Sequence, residues 1–158
     1  MARTKRKTPS GPSARAGVQL GPLQNWVGFN LRMAQESAFA AFSHLSREVG
    51  ENPGRFATLT LIAENPGISQ STLGQANGRD KSTMTPVLDD LVRRGLVQRT
   101  RTDEDRRSYR LMLTPAGTKT LTRLMACARK HEQNLDRLIG PRQRARFLRT
   151  LKRVQKIS

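Results

Sequence analysis

The chain has 158 residues, with 29 Lys+Arg against 12 Asp+Glu, for a formal net charge of +17. That length supports one compact domain, or a small domain with helical arms, and seven aromatics are few for a β-sandwich. No apolar run approaches the roughly 18 residues of a membrane span, no apolar stretch follows the basic N-terminus as in a secretory signal, and one cysteine, Cys127, cannot form an internal disulfide. A cytoplasmic chain with no membrane partner is expected, and its first partner is a polyanion.

The charge is unevenly spread. Residues 1–15 carry a net +5, residues 16–68 a net −1, residues 69–113 a net +3 and residues 114–158 a net +10. The opening segment also holds Pro9, Gly11, Pro12 and, just beyond residue 15, Gly17, with almost nothing apolar, so residues 1–19 read as a disordered basic arm.

From Pro22 the pattern is helical, with Leu23, Val27, Leu31, Ala34, Ala38, Ala41, Phe42 and Leu45 in one stripe and Trp26, Phe29, Met33 and Ala40 in another. A helix apolar over so wide an arc must be covered on two sides. Gly50, Asn52, Pro53 and Gly54 are expected to end this segment. A short second helix is expected from Arg55 to Glu64, and a third capped by Ser69 that ends before Gly78. A fourth is expected from Ser82 to Arg94, with Met84, Val87, Leu88, Leu91 and Val92 on one face and Ser82, Thr83, Thr85 and Pro86 on the other. Beyond Gly95 the period changes to two, predicting strands at Leu96–Arg101 and Ser108–Leu113 around a charged hairpin tip. Thr114-Pro115 opens a long helix whose Leu121, Leu124, Ala128, His131, Leu135 and Leu138 form a heptad seam with one polar break. Phe147, Leu148, Leu151 and Val154 stripe a final helix after Gly140-Pro141.

Three short helices, a two-stranded wing and long flanking helices make a mainly α fold with a small β wing, a winged helix-turn-helix plus a helical dimerisation region. The flanking helices carry too much apolar face for a monomer, so a homodimer is expected. In such a fold the second helix of the pair lies in the major groove of double-stranded DNA, reading with its N-terminal residues. Lys81 supplies charge at the entry, and Ser82, Thr83 and Thr85 are short donors and acceptors; the alternative is that these hydroxyls only cap the helix. Pro86 beside them removes one N–H near the first turn if Ser82 is the cap, and kinks the helix if it lies deeper. Arg106 and Arg107 on the hairpin tip suit a minor groove, with Asp105 holding one guanidinium in place. The alternative there is a solvated charged turn.

The run Asp80-Lys81-Ser82-Thr83-Met84-Thr85, followed by Leu88, Leu91, Gly95-Leu96-Val97, Asp103-x-Asp105-Arg106-Arg107 and Leu113-Thr114-x-x-Gly117, resembles the MarR family of bacterial transcriptional regulators. The resemblance implies a homodimer on a palindromic operator, usually a repressor, weakened by a small aromatic or phenolic ligand bound between the dimerisation and DNA-binding lobes. It implies the following division of the chain: 20–52 as first helix, dimerisation element and pocket wall; 53–113 as the winged helix-turn-helix; and 114–158 as C-terminal dimerisation helices. Two residues depart from the pattern. Pro86 stands where the family more often has a long polar or basic reader, and Gly74 replaces a small non-glycine residue, which loosens its helix by under about 1 kcal/mol.

Trp26, Phe29, Met33, Phe39, Phe42 and Phe56 cluster in the first two helices and are candidates for the ligand pocket, shared with the core. Arg142, Arg146, Arg149 and Arg153 in the basic last helix are candidate contacts for an anionic effector, such as an aromatic acid or an acyl-coenzyme A; the alternative is a solvated face. Cys127 reads as structural. His44, His131 and one cysteine lack ligand spacing for a metal, and no cofactor or catalytic constellation is expected, so the chain reads as no enzyme. The function expected is a ligand-responsive DNA-binding repressor. Its rival is a constitutive, sequence-tolerant architectural DNA-binding protein, which needs no single reading face.

Overall fold

The computed structural model describes residues 18–101 and 109–157. Most of the basic arm and the wing tip with Asp105, Arg106 and Arg107 therefore lie outside the described residues. The chain divides into two compact units, residues 1–37 and 38–158.

In the first unit a 3₁₀ turn, Gly21–Asn25, precedes helix α1, Val27–Leu45. The sequence pattern places continuous helix from Pro22, but Trp26 is extended and separates the two. The Asn30 amide bridges the junction, donating to the carbonyls of Gln24 and Trp26 at 3.0 and 2.8 Å. The apolar stripes of this stretch are largely uncovered within one chain: Trp26 is 60 % exposed and Val27 71 %.

The second unit holds the end of α1, then α2 (Pro53–Glu64), β1 (Ile68–Ser69), α3 (Gln70–Ala76), α4 (Lys81–Arg93), β2 (Val97–Arg101), β3 (Tyr109–Leu113), α5 (Pro115–Ile139) and α6 (Arg144–Val154). Helix α2 starts two residues before its expected position. Pro53 fills its first position, where a missing N–H costs nothing, and the Asn52 side chain accepts from Arg55 N at 3.0 Å. Pro53 and Gly54 thus open this helix instead of closing the preceding segment. Ser69 and Thr114 cap α3 and α5 as their positions predict.

The wing has three strands rather than two. β3 is central, paired antiparallel with β2 (Arg99 opposite Leu111) and with β1 (Ile68 opposite Leu111). A two-residue strand leaves no alternation to read, which is why β1 is invisible in the sequence.

The core runs through Leu59, Ile62, Leu73, Met84, Leu88, Leu91, Val97, Leu111 and Leu124, all essentially inaccessible to solvent. It joins the helix-turn-helix to the wing and to the first half of α5. Gly74 has a packing role: a Cβ there would sit 3.0 Å from the Arg79 carbonyl oxygen, and Arg79 N donates to Gly74 O at 2.9 Å. Glycine at this position lets the turn between α3 and α4 close tightly, and that contact offsets the helix propensity it gives up.

The tightest approach is at the start of α5. A Cβ on Gly117 would lie 2.0 Å from the carbonyl oxygen of Leu96, inside backbone that cannot rotate away. None of the described helices is long and apolar enough to cross a membrane. Replacing Gly117 by Ala is expected to lower the free energy of unfolding by about 3 kcal/mol through overpacking, read from the midpoint of chemical denaturation. An unchanged midpoint would mean that the joint yields.

Candidate nucleic-acid interface

Helix α4 has two unlike faces. Met84, Leu88 and Leu91 are fully buried, whereas Lys81, Ser82, Thr83 and Pro86 are exposed. The exposed set lies in its first two turns, where unpaired backbone N–H groups and the helix dipole favour an anion.

The cap is Asp80, not Ser82. The Asp80 carboxylate accepts from Thr83 N and from Ser82 Oγ, both at 2.8 Å. These bonds, the Thr83 backbone foremost and then the Ser82 and Thr83 side chains, hold the Asp80 carboxyl below its usual value, against a small opposing desolvation. With the helix beginning at Lys81, Pro86 is its sixth residue and lies inside it. It therefore removes an intrahelical bond instead of an orphan donor. The helix nevertheless runs unbroken to Arg93.

Other elements hold the reader in place. The Gln70 amide donates to Thr85 Oγ1 at 2.9 Å, tying α3 to α4, and Thr85 Oγ1 itself donates to the Lys81 carbonyl at 2.8 Å. Thr85 is thus half-buried, whereas Lys81, Ser82 and Thr83 are exposed. Asn77 Nδ2 donates to Thr58 Oγ1 at 2.9 Å, joining α3 to α2.

At the far end of α4, Asp90 takes Arg55 from α2 at 2.6 Å and also Arg93, while Arg94 reaches the buried carboxylate of Glu51. Burial works against the charge of Asp90, but the hydrogen bonds of Arg93 and Arg94 and the charge of Arg55 outweigh it, so its carboxyl is held below the ordinary value. Arg94 is raised, chiefly by its hydrogen bond to Glu51. Arg99 on β2 reaches Asp89 at 2.7 Å and stacks over the Tyr109 ring at 5.9 Å. These ion pairs, legible in the sequence only as scattered charges, fix the angle of the helix against α2 and the wing.

An open cleft of about 480 Å³ lies beside the reader, lined by Ser69, Gln70, Ser71, Gly74, Gln75, Arg79, Asp80, Lys81 and Tyr109. It joins the starts of α3 and α4 to β3 in one concavity and includes none of the six aromatic and Met candidates for a ligand pocket.

Those six are not gathered alike. Trp26, Phe29 and Met33 belong to the first unit, where Arg32 lies 5.7 Å from the Phe29 ring centroid. In the second unit Phe42 and Phe56 stack at 5.3 Å between centroids, and Phe39 is exposed. His131, a seam residue in the sequence, meets Phe42 edge-on at 5.7 Å.

In the basic tail only Arg144 is ion-paired among the described residues, to Asp136 at 2.7 Å and Glu132 at 3.4 Å. Arg142, Arg146, Arg149 and Arg153 are exposed. Cys127 is half-buried, its Sγ 3.4 Å from the Leu45 carbonyl oxygen.

The sign of the Asp80 effect gives a test. A carboxyl held below its unfolded value stabilises the fold above that value, near 3.8, and ceases to do so as pH falls through the folded pKa. The Asp80→Ala variant is expected to be less stable than the parent at neutral pH, with the two denaturation curves converging below pH 3.8. A gap that persists in acid would assign the cap another origin.

Residues 52–109 match the model of the MarR family. A protein assigned to regulation of the hcr operon in Thauera aromatica is 33 % identical over 135 residues, covering 85 % of this chain and 81 % of that one. Among solved structures, the transcriptional repressor CouR bound to a 23-mer DNA duplex superposes with a TM-score of 0.82 at 35 % identity, over 88 % of this chain and 99 % of that one. CouR bound to p-coumaroyl-CoA gives 0.82 at 33 %, over 89 % and 99 %. PcaV from Streptomyces coelicolor, in complex with its natural ligand, gives 0.77 at 26 %, over 87 % and 97 %.

Proposed function

The chain belongs to the MarR family of transcriptional regulators, and from that premise we propose that it is a homodimeric repressor, released from a palindromic operator by an aromatic or phenolic effector, free or as its coenzyme A thioester. As a DNA-binding regulator it is not an enzyme, and its place is the cytoplasm, with the DNA. The observation that carries the proposal is the exposed N-terminal face of α4. Lys81, Ser82, Thr83 and Pro86 stand clear of the core on a helix pinned from behind by Asp90, Arg55, Arg94 and Glu51.

Lys81 and the first-turn N–H groups that Asp80 leaves open meet phosphate, Ser82 and Thr83 reach phosphate or base edges, and Thr85 positions the helix through Gln70. The short, rigid side chain of Pro86 offers apolar contact, suited to a thymine methyl. Arg106 and Arg107, steadied by Asp105, enter the minor groove from the wing.

Residues 20–52 and 114–158 supply the dimer, and residues 53–113 read DNA. The exposed apolar residues Leu138, Phe147 and Leu148 support this division, Leu138 being 84 % exposed in the single chain. The effector's ring enters the aromatic set of the second unit, Phe39, Phe42 and Phe56. Any phosphates it carries meet Arg142, Arg146, Arg149 and Arg153, which make no ion pair among the described residues. CouR, solved both on DNA and with p-coumaroyl-CoA, supports the pairing of the two activities.

Two outcomes are expected. Leu138→Glu shifts the mass in sedimentation from twice that of the chain towards one, and weakens operator binding by at least about tenfold, because one half-site contact is lost. An aryl-coenzyme A thioester releases the protein from operator DNA, and changing the four arginines to Gln raises the thioester concentration needed. DNA affinity indifferent to aryl acids and thioesters alike would remove the effector from the proposal.

A further inference from the structure

Helix α5 turns one polar residue into the core with nothing to bond. His131 is only 9 % exposed, and its Nδ1 is buried with no hydrogen-bond partner among the described residues. Cys127, one turn earlier on the same face, reaches the carbonyl of Leu45, so this face of α5 meets the end of α1. There the His131 ring stands at 86° to Phe42, which in turn stacks on Phe56. The residue after Phe42 repeats the feature: Ser43 Oγ is also buried and unpartnered, although a helical serine usually satisfies itself on the carbonyl four residues back, as Ser46 does on Phe42 at 3.0 Å. Of the two orphaned polar atoms, the His131 nitrogen is the one carried by a ring in contact with the aromatic pair.

An unpaired buried polar group is destabilising, and an apolar residue of similar shape would pack there without that cost. We infer that His131 is the specificity residue of the effector site, its Nδ1 receiving a hydroxyl on the effector's aromatic ring. This rests on the reading that the effector enters the aromatic set, and it narrows the effector's chemistry. A neutral imidazole Nδ1 is a donor in one tautomer and an acceptor in the other, and a hydroxyl satisfies either, whereas a carbonyl satisfies only the first. The ring against it is a π-system, Phe42, itself stacked on Phe56, which favours a flat ring over an alicyclic one.

Discrimination by such a site is steep, because an analogue lacking the hydroxyl leaves the buried nitrogen unpaired, whereas an apolar pocket barely distinguishes the two. The test is calorimetric titration of the full chain with the coenzyme A thioesters of cinnamic acid and of its 2-, 3- and 4-hydroxy derivatives. One hydroxylated isomer is expected to bind at least about tenfold tighter than the unsubstituted thioester. In His131→Phe that ratio falls to within about twofold. In His131→Asn, whose amide occupies the position of Nδ1, most of the ratio is retained. The ratio is taken on one preparation, so partial unfolding of a variant does not move it. A parent chain that binds the thioesters without preferring any hydroxylated isomer, or a Phe variant that keeps the preference, overturns the assignment of His131. Failure of the parent to bind any of the four overturns the effector reading itself, and the inference with it.

Discussion

The joint between α4, β2 and α5 centres on the carbonyl of Leu96. Leu96 O receives Thr114 N at 3.1 Å, and the bare Cα of Gly117 lies against it at a distance no side chain tolerates. Thr114 Oγ1 meanwhile donates to Gly95 O at 2.6 Å and accepts from Gly117 N at 3.0 Å. The end of the reading helix, the start of the wing and the first turn of the longest helix are thereby fused into one piece. Close-packed interiors pass displacements on instead of absorbing them. A shift of α5, whose later turns carry Cys127 and His131 against α1, therefore reaches α4 and the wing through this contact. A DNA-reading lobe coupled to a distant effector needs such a connection, and here it is built from a glycine, a threonine cap and a backbone oxygen.

Electrostatics divides along the same line. Around α4 the cations are consumed internally: Arg55, Arg94 and Arg99 each meet a carboxylate, and Asp80 spends its charge on the helix cap. Among the described residues Lys81, Arg79 and Arg110 make no ion pair there, and with the helix dipole they leave a modest positive field suited to placing a helix on phosphates. The large surplus of charge is instead in α6, where exposed arginines follow one another at helical spacing with no acidic residue after Asp136. Separating the two lets the protein carry a net +17 while little of that surplus lies on the exposed face of α4.

Much of this was legible in the residues. Periodicity placed every long helix, the change to period two found the wing, and Ser69, Thr114 and Pro115 marked their helix starts. The failures are local and physical. Ser82 resembles a cap, but Asp80 outcompetes it because its carboxylate bonds the Thr83 amide and the Ser82 hydroxyl together. Pro53 and Gly54 resemble breakers, yet a proline at the first helical position suits a helix start. Strand β1 is too short for any pattern, and the Glu51–Arg94 pair joins residues 43 apart in sequence, a distance over which charge patterning says nothing. His131 looked like a polar break in a seam; only its burial and its unpaired nitrogen set it apart. The six pocket candidates shared composition, and of these only Phe42 and Phe56 form a ring pair in the structure.

The central claim is that this chain reads sequence through α4 as a symmetric pair. The most direct measurement is selection from a pool of random duplexes at about 150 mM salt, where binding through phosphates alone is weak, followed by sequencing of the bound fraction. The account predicts one enriched palindrome with half-sites centred about one helical turn apart. Recovery of unenriched DNA, with affinity that simply collapses as salt rises, would contradict it and leave a protein that holds DNA by charge alone.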